Sequence, residues 1–91
     1  MSELEKYEIK VCGALDMRPG LLNSSGRTDR AALARAFCYR FCRDHLGMKD
    51  TEIGRRYDRH LSGVGNALRM LRDRMDTDPA IRRIANEIER E

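Results

Sequence analysis

The sequence predicts an all-α fold, a compact five-helix domain spanning residues 1–91. Apolar residues recur at helical spacing in five stretches, and no stretch is convincing as a β-strand. Hydrophobic residues make up 41% of the chain and aromatic residues only 5%, a balance that suits helices packed through Leu, Ile, Ala and Met. Charged residues reach 36%, so most helices should have one solvated, charged face. A length of 91 residues allows one small core without a separate catalytic domain.

The N-terminal part of the chain predicts a helix over residues 3–15, followed by a turn. Ser2 and Glu5 have the spacing of a capping box, in which each side chain accepts a hydrogen bond from the other residue's backbone N–H. Pro19 and Gly20 favour a turn after this helix. We therefore expect the chain to leave the first helix well before the next helical stretch begins.

A longer helix is predicted over residues 29–46. Thr28 is its N-cap candidate, and Gly47 should end it in the left-handed conformation. Its apolar face consists of Leu33, Ala34, Phe37, Cys38, Phe41 and Cys42. Arg40 and Arg43 lie mostly off that face, so they should be solvated.

Residues 51–74 have the pattern of a helix-turn-helix, in which a short helix and a longer one are joined by a tight turn. We expect the first helix over residues 51–57, with Thr51 as its N-cap. Gly54 is small enough to let another helix approach closely. The turn should fall at residues 58–60, because the helical pattern stops there and resumes just beyond.

The second helix of this motif, predicted over residues 62–75, combines a buried stripe with a basic outer side. Ser62 is its N-cap candidate. The stripe, with spacing i, i+3, i+4 and i+7, consists of Val64, Ala67, Leu68 and Leu71. Arg69, Arg72 and Arg74 are left to solvent. In helix-turn-helix proteins such a helix is presented to the major groove of DNA.

The chain closes with an amphipathic helix predicted over residues 79–90. Asp78 and Pro79 mark its start, since proline at the first helical position loses no hydrogen bond. The apolar side of this helix consists of Ile81, Ile84, Ala85 and Ile88. Its outer side and the residues that follow are predominantly charged.

Positive charge is concentrated in the middle of the chain. Residues 18–74 hold 13 basic and 6 acidic residues, a net charge of +7, whereas residues 1–17 and 75–91 are each −2. Of the 18 basic residues 15 are Arg, which binds phosphates and guanine edges in a bidentate way. This distribution favours a polyanionic partner, and a charged solvated surface is the alternative interpretation.

The cysteine pattern indicates a reduced, cytoplasmic chain without disulfides or a cofactor. The three Cys form no even set and no CxxC motif, and the chain has no signal peptide and no apolar run of membrane length. Cys38, Cys42 and His45 share a helical face, which raises zinc binding as an alternative. No paired motif supplies a fourth ligand, so we predict core cysteines instead.

A resemblance to a known family covers the chain from Arg27 to about Ile88. The residues that carry it are Ala34-Arg35, Gly47, Glu52-Ile53-Gly54, the Arg59…Ser62…Val64 corner and the Ala67…Arg69 pair. In order and spacing they resemble the C-terminal, DNA-binding domain of the bacterial replication initiator DnaA. They also resemble modules that end some single-tyrosine transposases of repetitive elements. The resemblance implies an initiator-like helical domain whose helix-turn-helix binds double-stranded DNA.

The chain departs from that family at the corner before the second motif helix. The family's corner reads Gly-Gly-Arg-Asp-His-(Ser/Thr)-Thr-Val, whereas residues 58–64 here are one residue shorter. His60, Leu61 and Gly63 replace the family's base-reading Asp-His-Thr. Nothing in the chain resembles the nucleotide-binding motif GxxxxGK[ST], so we do not expect a replication initiator by itself.

No catalytic site is predicted. Neither His has an obvious nucleophile partner, and a transposase tyrosine would need a nearby paired-His metal motif, which the sequence lacks. Tyr7, Tyr39 and Tyr57 should therefore be packing residues. We expect neither enzymatic activity nor a small-molecule substrate.

The charge pattern and the resemblance predict two groups of DNA-contacting residues. The group on the second motif helix and the turn before it consists of Arg59, His60, Ser62, Asn66, Arg69 and Arg72. The group that should hold the phosphate backbone consists of Arg27, Arg30, Arg35, Lys49 and Arg55. Asn reads adenine and Arg reads guanine in bidentate fashion, and the N–H groups near Ser62 can hold a phosphate. Among the basic residues at the start of the second main helix, Arg35 matches a basic position of the family.

Each group has a structural alternative. The exposed side of the second motif helix is a solvated face in that interpretation, with Arg69 paired to Asp73 at i+4 for about 0.3–0.5 kcal/mol. Arg35 would be a structural ion-pair residue. The functional alternative is a protein-interaction module on the same fold, which binds a replication or recombination protein or a second copy. Gly63 and Gly65 slightly favour that alternative, because two glycines weaken a recognition helix and offer no side chains to bases. The other interpretation of these glycines is that they allow the backbone to approach DNA closely.

Overall fold

The computed structural model describes residues 1–23 and 29–90, and it confirms the all-helical fold. The five α-helices are α1 (Glu3–Ala14), α2 (Asp29–Asp44), α3 (Asp50–Tyr57), α4 (Leu61–Thr77) and α5 (Pro79–Glu89). A short 3-10 helix covers Pro19–Asn23, and no strand occurs within the described ranges. The helices pack into a body of 30 × 30 × 26 Å with a radius of gyration of 12.0 Å, the value expected of a compact chain of this length.

Helix α2 is the central element, and it packs against α1, α3, α4 and the 3-10 helix. Its buried residues are Ala31, Leu33, Ala34, Arg35, Ala36, Phe37, Cys38, Tyr39 and Cys42. They cover most of its circumference and not the single face that the periodicity predicts. A helix is buried all round when other elements surround it, and the alanines of α2 allow them to approach closely.

Helix α1 is capped as predicted and is joined to α3 by a polar contact in a half-buried position. Ser2 and Glu5 form the capping box, with both hydrogen bonds 3.2 Å long. The Tyr57 hydroxyl donates to Glu8 Oε2 at 2.5 Å, and Arg56 Nη2 lies 3.2 Å from Glu8 Oε1. One carboxylate of α1 therefore holds the last two residues of α3.

The three tyrosines are packing residues, as predicted. Tyr57 and Tyr39 are buried, and their rings meet edge to face with centroids 5.2 Å apart. Tyr7 stacks on Phe41 with centroids 4.0 Å apart, and burial raises the pKa of Tyr7 to about 12. Together these rings fill the space where α2 meets α1 and α3.

The predicted ends of the helices are partly confirmed. Asp78 Oδ1 accepts from the Ala80 N–H at 2.9 Å with Pro79 in the first turn of α5, as predicted. Gly47 adopts the predicted left-handed conformation with φ of 64°, but α2 ends at Asp44, two residues earlier than expected. Thr28 lies outside the described residues.

The start of α3 differs from the prediction. The helix begins at Asp50 with Lys49 as the N-cap, so the expectation for Thr51 is wrong. Lys49 has no side-chain acceptor, and the cap is instead made from the other direction: Glu52 Oε1 accepts from the Lys49 N–H at 3.0 Å.

Within the described residues no helix is long and apolar enough to cross a membrane.

Candidate nucleic-acid interface

The turn between α3 and α4 occupies residues 58–60, as predicted, and Gly54 determines its shape. Asp58 ends α3 in the left-handed conformation, with φ of 53° and ψ of 51°. The next N–H, that of Arg59, donates to the Gly54 carbonyl oxygen at 2.7 Å. A methyl group on Gly54 would collide with the Arg59 carbonyl oxygen. The closest neighbour of Gly54 is therefore the Arg59 carbonyl group of the turn, and the backbone nitrogen of Leu61, the first residue of α4, is the next.

Helix α4 begins one residue earlier than predicted, and His60 rather than Ser62 is its N-cap. His60 Nδ1 accepts from the Ser62 N–H at 3.1 Å and lies 2.8 Å from Ser62 Oγ. A histidine nitrogen thus takes the acceptor role that a hydroxyl or carboxylate usually has at this position. Ser62 lies inside the first turn, where its exposed hydroxyl is held against the imidazole.

Helix α4 has the two sides that the sequence predicts. Val64 and Leu71 are buried, and the other residues of the predicted stripe, Ala67 and Leu68, are half-buried. The opposite side is exposed at Ser62, Asn66, Arg69 and Arg72. Arg74 is half-buried and not left to solvent as expected. The exposed side therefore presents one amide and two guanidinium groups after a capped first turn.

The cations of this surface are not engaged in ion pairs. Within residues 1–23 and 29–90, Lys49, Arg55, Arg69 and Arg72 form none, and the Arg69–Asp73 pair weighed as an alternative is not made. By contrast, Arg40 pairs with Asp44 and Glu89, at 3.7 and 4.0 Å, and Arg56 pairs with Glu8. Arg40 and Arg56 are thus neutralised by acidic neighbours, whereas Lys49, Arg55, Arg69 and Arg72 are not.

A cleft of about 600 Å³ lies beside the exposed side of α4, between α4, the end of α2 and the start of α3. Arg43 of α2 lines it together with Arg69 and Arg72 of α4. Asp50 and Asp76 also line this cleft, so its charge is mixed. Arg43 was not among the predicted contacts, because nothing in the sequence links it to α4, which is distant along the chain. Like Arg69 and Arg72, it forms no ion pair within the described residues.

The arginines that were predicted to hold phosphate at the start of α2 do not form a shared exposed surface in the described residues. Arg27 lies outside the described residues. Arg30 is exposed, and its Nη1 donates to the Asp16 carbonyl oxygen at 3.3 Å. Arg35 is buried, with only 9% of its surface exposed, which corrects the expectation of a surface phosphate contact. The reason is that α2 is enclosed on most sides at this level.

Arg59 lies in the turn and is half-buried. Burial raises the pKa of Tyr39, and the positive charges of Arg35 and Arg59 oppose that rise. Arg59 Nη1 also donates to the Asp58 carbonyl oxygen at 3.2 Å. Arg59 is thus engaged with the turn, and it is less exposed than Arg55 on the outside of α3.

The cysteine and histidine side chains that raised the zinc alternative do not converge. Cys38 and Cys42 are fully buried, whereas His45 is exposed, with its ring 5.0 Å from that of Phe41. Burial raises the pKa of both thiols, that of Cys42 to about 11, so both remain protonated at neutral pH. No group of three potential metal ligands occurs within the described residues.

Comparisons with protein-family models, with curated proteins and with solved structures find no match for this chain. An inference about its partner therefore starts from the turn, the exposed side of α4 and the unpaired cations around them. These features lie on or next to α3 and α4, which pack against each other. We refer to the surface made by Lys49, Arg55, His60, Ser62, Asn66, Arg69 and Arg72 as the α3–α4 face.

Proposed function

We propose that this protein binds double-stranded DNA, with α3, the turn and α4 acting as a helix-turn-helix. The observation that carries the proposal is the exposed side of α4, which presents Asn66 together with Arg69 and Arg72, two arginines that form no ion pair in the described chain. Amide and guanidinium groups are the side chains that read adenine and guanine edges in the major groove. Helix α4 has 17 residues and so a length of about 25 Å, enough to lie along the groove.

The rest of the α3–α4 face suits contact with the phosphate backbone. Lys49 precedes α3 and Arg55 lies on its exposed side, where each can neutralise a phosphate next to the groove that α4 enters. The tight turn at Gly54 supports this role, since it holds the two helices in one arrangement. The central net charge of +7 would strengthen attraction to DNA at long range.

The residue-level resemblance to the initiator's C-terminal domain supports the same proposal. It suggests a bacterial regulator or accessory factor of replication, transcription or a mobile element. The changed corner, with His60, Leu61 and Gly63 in place of the family's base readers, leads us to propose a DNA target other than the initiator's own box.

A salt titration of DNA binding tests the proposal. If the α3–α4 face and neighbouring cations neutralise about six phosphates, log K should fall with log salt at a slope of about −5. Fragments selected from random DNA would supply the preferred site. Arg69→Ala and Asn66→Ala should then reduce base preference, whereas Arg83→Ala on α5 should leave it unchanged. Absence of binding, or binding without a salt slope, would overturn the proposal.

A protein-interaction module is the second candidate, and two observations favour it. A side chain at Gly63 or Gly65 would meet nothing within 4 Å, so the first turns of α4 offer smooth backbone in place of base-reading groups. The adjoining cleft has apolar residues on its wall, including Leu68 and Met75. A pull-down with a defined protein partner, or self-association in analytical ultracentrifugation, without any DNA shift would establish this alternative.

A further inference from the structure

Leu61 is an exposed apolar residue at the start of α4. Among the described residues, the large hydrophobic side chains that are well exposed are those of Met1, Ile9, Leu21 and Leu61. Leu61 is 48% exposed, and it is the first residue of α4. The Ser62 N–H donates to His60 Nδ1 across Leu61, and just before it the Arg59 N–H donates to the Gly54 carbonyl oxygen. The side chain therefore projects from a defined position and not from a loose loop.

On the side of α4 that carries Leu61, the next residue along the helix is a glycine, so the Leu61 side chain projects beyond its neighbour. Leu61, Gly65, Arg69 and Arg72 are spaced i, i+4, i+8 and i+11, so they share one side of α4. Gly65 has no side chain, and a Cβ there or at Gly63 would meet nothing within 4 Å. A flat partner surface could thus approach the backbone of the first two turns, with Leu61 as the projecting contact at one end.

The charge around this contact indicates the kind of partner. The same side of α4 continues into Arg69 and Arg72, which form no ion pair within the described ranges. A leucine on the same side of a helix as two arginines without ion pairs suits a polyanion that also offers an apolar group. In the major groove that group is the 5-methyl of thymine, while arginine pairs with guanine.

We propose that Leu61 is a specificity-determining residue that packs against the 5-methyl group of one thymine in the target site. This inference rests on the proposed DNA-binding function, and it names one base of the target site that the protein would recognise. The bound site should contain an A·T pair under the start of α4. A guanine should follow within the reach of Arg69, two helical turns further along.

Thymine-to-deoxyuridine exchange tests the contact, because it removes the methyl group and leaves the base-pairing edge unchanged. The selected duplex is synthesised with each thymine replaced in turn, and Kd is measured for the wild type, Leu61→Ala and Ile9→Ala. Ile9 is a matched control, since it is 46% exposed and lies on α1. Circular dichroism melting of all three proteins confirms that the folded state is kept.

At one thymine, the exchange should raise the Kd of the wild type and of Ile9→Ala about four-fold. This is the change in affinity expected when one buried methyl group is removed. Leu61→Ala should bind the unmodified duplex more weakly and lose its sensitivity to that exchange. If DNA is bound but no exchange depends on Leu61, the inference is overturned while the proposed function stands. If Leu61→Ala abolishes binding to a protein partner and leaves DNA binding unchanged, Leu61 belongs to a protein contact instead. Failure to bind any duplex would overturn both proposals.

Discussion

Gly54 is the residue on which the geometry of the turn most directly depends. Its carbonyl oxygen accepts from Arg59, and its missing side chain leaves room for the Arg59 carbonyl oxygen. We predict that Gly54→Ala destabilises the protein by about 1–3 kcal/mol, as overpacking of a buried site does. The backbone of the turn would have to shift, since no flexible side chain is there to move. Urea unfolding measures the change.

Gly13→Ala is the matched control for this substitution. Gly13 also lies within a helix, but it is exposed and a Cβ there would meet nothing within 4 Å. Alanine is the better helix former, so Gly13→Ala should stabilise the protein by about 0.5–1 kcal/mol. Equal changes in the free energy of unfolding would show that helix propensity, and not the close approach of the turn, decides the effect of Gly54→Ala.

The hydroxyl of Tyr57 should contribute measurably to stability. It donates to Glu8, whose side chain is only 12% exposed, so removal leaves a half-buried carboxylate with Arg56 as its remaining partner. We predict that Tyr57→Phe costs about 1–3 kcal/mol in the free energy of unfolding. Tyr7→Phe is the control, because Tyr7 packs through its ring against Phe41. A loss as large in Tyr7→Phe would contradict this prediction.

At the scale of elements, the cleft between α2 and α4 adds Arg43 to the proposed DNA contacts. Arg43 reaches the cleft from the end of α2 and shares it with Arg69 and Arg72. If it neutralises one phosphate, Arg43→Gln should reduce the salt slope of DNA binding by about 0.9. It should weaken binding to all sequences alike.

Arg83→Gln on α5 is the comparison for Arg43→Gln, since it removes the same charge from a helix outside the α3–α4 face. Both variants lower the net charge equally, so a general loss of attraction would affect them alike. A change of slope in Arg43→Gln alone supports a local contact. Identical slopes in the two variants would contradict it.

The order of the helices and most core residues could be predicted because both follow from periodicity along one chain segment. The starts of α3 and α4 could not, since Lys49 and His60 are unusual N-caps and the nearby Thr51 and Ser62 are the residue types that usually cap a helix. The burial of Arg35 could not be predicted either. It follows from the helices that surround α2, which the sequence of α2 does not reveal. Arg43 was missed for a similar reason, as its cleft is formed only by folding.

At the scale of the whole molecule, folding pairs or buries some of the central cations and leaves others without ion pairs. Arg40 and Arg56 pair with acidic residues of other elements, and Arg35 is buried. The cations that stay without ion pairs in the described chain include those of the α3–α4 face and Arg43. These cations are therefore available to a polyanionic partner, although the net charge of the protein is only +3.

The three cysteines give the folded molecule a definite response to alkaline pH. All are free and buried, and burial raises the pKa of each thiol, that of Cys42 to about 11. An unfolded cysteine ionises with a pKa of about 8.5. Between these values the unfolded chain has lost the thiol protons that the folded chain retains. The contribution of the thiols to the free energy of unfolding is therefore fully present below the pKa of the unfolded chain, and it is lost as pH rises toward the pKa of the folded chain.

We predict that the free energy of unfolding falls between pH 8.5 and 10.5, by up to about 1.4 kcal/mol per pH unit for each buried thiol. Urea unfolding at several pH values measures the slope. Cys42→Ala should have a shallower slope than the wild type, because one of the linked protons is gone, whatever its effect on stability at pH 7. Ser2→Ala is the control, since it removes a cap of α1 without changing any thiol and should keep the wild-type slope. Equal slopes in the wild type and Cys42→Ala would show that Cys42 is not protected from ionisation by the folded core.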